Sequence, residues 1–155
     1  MTHAYTPQQV ADLVREGMFA NDHASKSLGM HILEVGPGTA TITMTVRRDM
    51  LNGFQICHGG FITTLADSTF AFACNSYNEL TVAAGITVDF IAPAHEGDVL
   101  TAVGKEISLT GRTGIYDVEV KNQHGKRVAM FRGRSSRLKD RKVVQQPHEQ
   151  NVKGA

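Results

Sequence analysis

Asp67 lies in the middle of the most apolar stretch of the chain, within Leu65-Ala66-Asp67-Ser68-Thr69-Phe70. An unpaired carboxylate is costly to bury, so one placed on an apolar helix is solvated, capped by a local hydroxyl, or kept for reactivity as a base or nucleophile. The solvated alternative is a polar stripe of Thr63, Thr64, Asp67 and Ser68 along one face. Eight positions upstream, Gly59-Gly60 stand at the entrance of the same helix. The first N–H groups of a helix lack internal acceptors and carry the positive end of its dipole, and glycine lets a ligand oxygen come close. That combination suits a developing oxyanion, although two glycines turning a tight corner is the plainer reading of the pair taken alone. Eight residues of α-helix rise about 12 Å. An attacking group and an oxyanion donor must both come within about 3–3.5 Å of one carbonyl. If Gly59 and Asp67 act together, they therefore come from different copies of the helix, across a two-fold interface.

Other motifs carry less. Gly36-Pro37-Gly38-Thr39-Ala40-Thr41 begins like a dinucleotide fingerprint but lacks the last glycine and a following helix, so it reads as a hairpin turn. No GxxxxGK[ST] occurs. Cys57 and His58 invite a thiol–imidazole reading, yet sequence neighbours rarely place their side chains in nucleophile–base contact. The remaining histidines (His3, His23, His31, His95, His124 and His148) are scattered without metal-ligand spacing, and no metal site is expected.

The elements that must position these residues follow from periodicity. Thr6, Pro7 and Gln9 form a capping-box start for a helix over 7–20, with Val10, Leu13, Val14 and Met18 on one face. A short helical turn is expected around Asp22–Leu28, ending at Gly29. Met30–Val35 and the alternating Ala40, Ile42, Met44 and Val46 read as two strands joined into a hairpin at Gly36-Pro37-Gly38. Arg48–His58 reads as a loop. Phe61–Cys74 is apolar almost all round, the pattern of a helix wrapped by other structure. Val82–Ile91, Val99–Ser108, Thr113–Asn122 and Arg127–Arg137 return to a period of two between turn-rich separators. The expected class is α+β, an antiparallel sheet curled around one central helix.

Composition sets the outer bounds. With 155 residues, one domain is expected, spanning 1–140, with 141–155 as a polar, flexible tail containing Pro147. Lys and Arg number 16 against 15 Asp and Glu, so the net charge of +1 gives no long-range reason to expect nucleic-acid binding. With two cysteines, no CxxC and no Cys/His zinc spacing, no disulfide framework is expected. No apolar run reaches the ~18 residues of a membrane span, and MTHAYTPQQ lacks the pattern of a leader. A cytoplasmic setting is the expectation.

Asn52-Gly53-Phe54-Gln55-Ile56-Cys57-His58-Gly59-Gly60, followed by Leu65-Ala66-Asp67, resembles the signature of the PaaI-type hotdog thioesterases. Met50-Leu51, Phe70-Ala71-Phe72-Ala73-Cys74-Asn75-Ser76, Val88-Asp89-Phe90 and Phe131-Arg132-Gly133 extend the likeness over roughly 19–138, toward the phenylacetate-pathway branch. The resemblance implies a hotdog fold, a homodimer as the minimal active unit, doubled to a homotetramer, and hydrolysis of acyl-CoA thioesters. Its branch implies phenylacetyl-CoA and ring-hydroxylated phenylacetyl-CoA as substrates, with coenzyme A entering as part of the substrate and no other cofactor. Carried onto this chain, it makes Asp67 the catalytic carboxylate and the Gly59 N–H the oxyanion donor. Asn52 and His58 would shape the oxyanion loop, and Gly60 would lie in the binding site beside them. Asn21 would line the acyl pocket. Ala92-Pro93 would frame the pantetheine channel, and Gly111-Arg112-Thr113, with Arg134 and Arg137, would meet the coenzyme A phosphates. The arginines also fit a solvated strand edge. Relatives that place Ser or Thr after the central helix differ here, where Ala83 and Ala84 stand. A hotdog hydratase or dehydratase and a non-catalytic acyl-CoA-binding module are the alternatives; neither a His–carboxylate pairing suited to the first nor a DNA-binding segment for the second is evident.

Overall fold

Thr6 starts the first helix, α1 (Pro7–Ala20), in the expected way. Its hydroxyl accepts the Gln9 N–H at 3.2 Å, and the Gln9 side chain accepts the Thr6 N–H at 2.8 Å. The computed structural model describes residues 4–147, so His3 and His148 lie outside the described residues. After α1 come α2 (His23–Ser27), β1 (His31–Gly36), β2 (Thr39–Thr45), α3 (Gly59–Asn75), β3 (Thr81–Phe90), β4 (Val99–Thr110), β5 (Thr113–Lys121) and β6 (Arg127–Arg137). The strands fall within two residues of the periodic runs. Two local differences have clear causes. The central helix begins at Gly59 because His58 caps it, and the loop before it contains a 3-10 turn at Arg48–Met50.

All six strands pair antiparallel in the order β1-β2-β4-β5-β6-β3. α3 packs across β2, β4 and β5, and the buried set runs from Ile42 and Met44 through Leu65 and Phe70 to Tyr116 and Phe131. Close approach of sheet to helix depends on a missing side chain in the sheet. A Cβ on Gly133 would lie 2.7–2.8 Å from the Phe70 ring. That ring in turn stacks at 5.6 Å from Tyr116 and 5.7 Å from Phe131. Ser76 ties the helix end to the first hairpin by accepting the Gly38 N–H at 2.8 Å and donating to the Ala73 carbonyl at 2.7 Å.

The two sheet edges differ. β1 is shielded by α1, whose Gln8 and Arg15 donate to the Val35 and Ile32 carbonyls at 2.8 and 2.5 Å. Among the described residues, β3 has a neighbour only on its β6 side. Every residue from Val82 to Thr87 is exposed on both faces of that strand, including Val82 and Ile86. The helix is accordingly not enclosed on all sides within one chain, as its apolar pattern suggests; a stripe bearing Asp67 is open.

The polar tail expected from residue 141 is ordered at its start. Residues 141–144 are held against Leu80, Asn78 and Glu79 by backbone and side-chain bonds. Packing of Phe70 under Gly133 makes a direct prediction. Gly133→Ala should destabilise the fold by about 1–3 kcal/mol through overpacking, measured by denaturant unfolding, and Phe70→Leu should recover part of that loss.

Candidate active site

His58 ends an extended segment (φ −61°, ψ 131°) and caps α3: its Nδ1 accepts the Gly60 N–H at 3.0 Å. The Phe61 N–H donates to the His58 carbonyl at 3.0 Å. Two of the three leading amides are thus occupied. The Gly59 N–H has no acceptor among the described residues, at the end of the helix where partial positive charge gathers. Gly60, expected beside it in binding, has its amide committed to the cap, which leaves Gly59 as the donor. Gly59 must also be glycine for packing, since a Cβ there would sit 2.8 Å from the Phe90 ring.

The preceding loop is built on Asn52. Its Oδ1 accepts the Phe54 N–H at 2.9 Å and the Ile56 N–H at 3.4 Å, and its own N–H donates to the Ile56 carbonyl at 2.8 Å. Gln55 takes a left-handed φ of 62° at the tip. Cys57 donates its N–H to the Ala94 carbonyl at 2.8 Å, which brings Ala92 and Pro93 alongside the helix start. Burial pushes the Cys57 thiol up to about 11, so it is no thiolate nucleophile, and its sulfur faces the His58 carbonyl and not the imidazole. Asn52, His58, Gly59, Ala92 and Pro93 line one mostly apolar cavity of about 650 Å³. Phe54 (87% exposed) and Phe90 share its wall. Both were missed by sequence reasoning, because an aromatic on a loop or strand gives no sign of standing in solvent.

Asp67 belongs elsewhere. It lines a second cavity of about 360 Å³ with Met18, Phe70, Ala71, Cys74, Leu80, Ala83 and Val143. Its carboxylate has no hydrogen bond or ion pair to another described residue, while the neighbouring Ser68 hydroxyl meets Ser25 at 3.1 Å. Partial burial against the apolar wall raises its pKa above the ordinary aspartate value. Cys74 in the same wall is inert, its thiol pushed up to about 12 by burial. Gly59 and Asp67 occupy separate cavities of one chain, as their spacing on one helix requires.

The outlying candidates scatter. Asn21 caps α1 and lines neither cavity, although Met18 and Ser25 flank it in sequence. Gly111 (φ 61°), Arg112 and Thr113 make the β4–β5 turn, where the Arg112 carbonyl accepts the Arg137 N–H at 2.8 Å. Arg134 lies across β3 and donates to the Ala84 carbonyl at 3.2 Å. Arg137 is stacked 5.2 Å over the Tyr77 ring. None of these arginines lines the two cavities. Among the described residues no three His, Cys, Asp or Glu side chains gather as a metal site, and no helix is long and apolar enough to cross a membrane.

The raised Asp67 pKa has a stability consequence. A carboxyl whose pKa rises on folding weakens the folded state when ionised, and that penalty fades as pH falls through the folded value towards the unfolded one. Asp67→Asn should therefore raise Tm at about pH 7 and lose its advantage near about pH 4, close to the ordinary aspartate pKa. Calorimetry at both pH values checks this; an equal Tm difference at both would show a carboxylate as well solvated in the fold as in the unfolded chain.

Comparison with known proteins agrees with this geometry. The family model of the thioesterase superfamily matches residues 54–129. Over 121 residues (78% of this chain and 86% of the relative) the sequence is 47% identical to acyl-coenzyme A thioesterase PaaI of Escherichia coli strain K12. The solved structure of E. coli PaaI, from the phenylacetic acid degradation operon, matches with a TM-score of 0.84 at 44% identity, covering 86% of this chain and 96% of that one. A mutant of the phenylacetic acid degradation protein PaaI from Thermus thermophilus matches with a TM-score of 0.71 at 38% identity, covering 74% and 97%. A six-stranded antiparallel sheet around one helix, with a capped glycine start and a carboxylate further along that helix, is thus a hotdog fold, and the chain belongs to the thioesterase superfamily as an acyl-CoA thioesterase of the PaaI type.

Proposed function

We propose that this thioesterase hydrolyses phenylacetyl-CoA and ring-hydroxylated phenylacetyl-CoA in a site completed by two copies of the chain. The observation that carries the reading is the separation of the free Gly59 amide from the unpaired Asp67 carboxylate into two cavities on one helix. The phenylacetic acid degradation operon of the E. coli relative, and the apolar wall around Asp67, support an aryl acyl group.

The open β3 edge supplies a way to join the cavities. Gly59 sits under Phe90, near one end of β3, while Asp67 shares its cavity with Ala83, near the other. A two-fold axis between Ile86 and Thr87 pairs β3 antiparallel with β3 of a second copy, setting Ala83 opposite Phe90. The same axis passes level with Thr63, midway between Gly59 and Asp67 on the helix. Such pairing satisfies the free backbone groups of an edge strand and covers Val82, Ile86 and Phe90. Phe54 and Ala92-Pro93 of one copy then face the Asp67 cavity of the other. Arg134, which lies across β3, and the Arg112 turn are the proposed donors to the coenzyme A phosphates.

In this arrangement the thioester oxygen accepts the Gly59 N–H, and charge developing on it meets the helix dipole. Asp67 acts in one of two ways. As a base it takes a proton from water while the water oxygen bonds to the acyl carbon; the carbon–sulfur bond then breaks, and the leaving thiolate recovers that proton. As a nucleophile its oxygen bonds to the acyl carbon while the carbon–sulfur bond breaks and the thiolate leaves, taking its proton from solvent; water then cleaves the resulting anhydride, releasing the acid and restoring the Asp67 carboxylate. Ala83 brings no hydroxyl to either path. No resident metal or cofactor is called on, because a thioester is already activated for acyl transfer. The hydratase alternative would ask the His58 imidazole to move a proton, whereas here its Nδ1 serves as the cap that accepts the Gly60 N–H.

Thiol release from phenylacetyl-CoA tests the chemistry: Asp67→Asn should lose about 10²–10⁴-fold in kcat while still binding substrate. Near-normal turnover by that variant would defeat the mechanism. For the shared site, Asp67→Asn and Gly59→Val proteins, each inactive, should regain activity when mixed and refolded together; no recovery would overturn the shared site. Ile86→Lys, which puts a charge on the proposed pairing edge, should yield an inactive monomer by analytical ultracentrifugation, and an active monomer would remove the dimer from the scheme.

A further inference from the structure

The Asp67 cavity has one wall that does not come from the helix or the sheet. Val143, from the segment after β6, lines it beside Met18 of α1 and Leu80. This segment is fastened along its length. The Leu80 N–H donates to the Arg141 carbonyl at 2.9 Å, and Lys142 pairs with Glu79 at 2.6 Å. Asn78 then holds the next two residues: its Oδ1 accepts the Val143 and Val144 N–H groups at 3.1 and 2.9 Å, and its Nδ2 donates to the Val144 carbonyl at 3.0 Å. Asn78 is only 2% exposed and has a φ of 62°, a left-handed conformation that asparagine tolerates better than most residues. On the other side, α1 makes room for the strap. A Cβ on Gly17 would lie 2.2 Å from Val144 Cγ1, so Val144 occupies space that any other residue at 17 would fill.

We propose that residues 141–144 are a fixed strap closing the acyl end of the Asp67 cavity, with Val143 and Met18 setting the largest acyl group admitted and Asn78 acting as the positioning residue that holds the strap. This rests on the reading of that cavity as the acyl site. The size is appropriate: about 360 Å³ is more than the roughly 150 Å³ that admits one benzene ring, and the strap forms part of its boundary. A methylene more or less in an apolar pocket changes discrimination by about 10–200-fold, so one side chain on the strap is enough to move specificity.

The test uses full-length protein and thiol release from acetyl-CoA, phenylacetyl-CoA and naphthylacetyl-CoA. Val143→Ala should raise kcat/KM for naphthylacetyl-CoA relative to phenylacetyl-CoA by about 10-fold or more, and Val143→Phe should shift preference from phenylacetyl-CoA to acetyl-CoA by a similar factor. Asn78→Gly keeps the backbone conformation but removes the clasp, and it should follow Val143→Ala. A purely structural strap would scale all three substrates by one factor in the Val143 variants, and that result overturns the proposal. An Asn78→Gly protein with a lowered Tm but wild-type substrate ratios overturns the clasp. Failure of the underlying reading is distinct: the wild-type protein itself would then release no thiol from either aryl substrate.

Discussion

A single α-helix cannot bring its own first amide and a carboxylate two turns further along to the same carbonyl carbon. Eight residues separate Gly59 from Asp67 on α3, an axial rise of about 12 Å. Much of the remaining architecture makes sense in that light. The helix lies across the sheet with one stripe uncovered, its first amide and its carboxylate open into different cavities, and the strand alongside has an edge that no described residue pairs. The opposite edge is covered by α1 through Gln8 and Arg15.

Within each cavity the local chemistry selects one group. At the helix start three amides face outward in principle, but His58 takes one on its ring and one on its carbonyl, and the Gly59 N–H is left. The imidazole is therefore part of the donor's scaffold through its Nδ1. At Asp67 the selection is by omission. Thr63, Thr64 and Thr69 return their hydroxyls to the helix carbonyls, and Ser68 meets Ser25, so none of these neighbours satisfies the carboxylate. A partly desolvated carboxylate without a partner has a raised pKa and greater basicity, the condition a hydrolytic base requires.

The packing that holds these groups relies on small residues at close approaches. Gly133 admits Phe70 beneath β6, Gly59 admits Phe90, and Gly17 admits Val144. In each case a side chain on one element fills a gap left on another. A sheet bent around a helix brings backbones closer than ordinary side chains permit, and such gaps are how the chain accommodates it.

How much was legible beforehand depends on the range of the interaction involved. Capping by Thr6 and Gln9, the hairpin turn at Gly36–Gly38, the alternation of the strands and the apolar character of α3 are all local, and the sequence by itself determined them, because propensity, capping and periodicity act over a few residues. The signature from Asn52 to Asp67 pointed to the chemistry through its resemblance to the PaaI-type thioesterases. The tertiary structure decided what depends on distant partners. It engaged the Gly60 amide with His58, stacked Arg137 on Tyr77, exposed Phe54 and Phe90 at a cavity, and drew residues 141–144 back onto Asn78. None of these leaves a periodic trace, since each is a meeting of groups brought together only when the sheet closes around the helix.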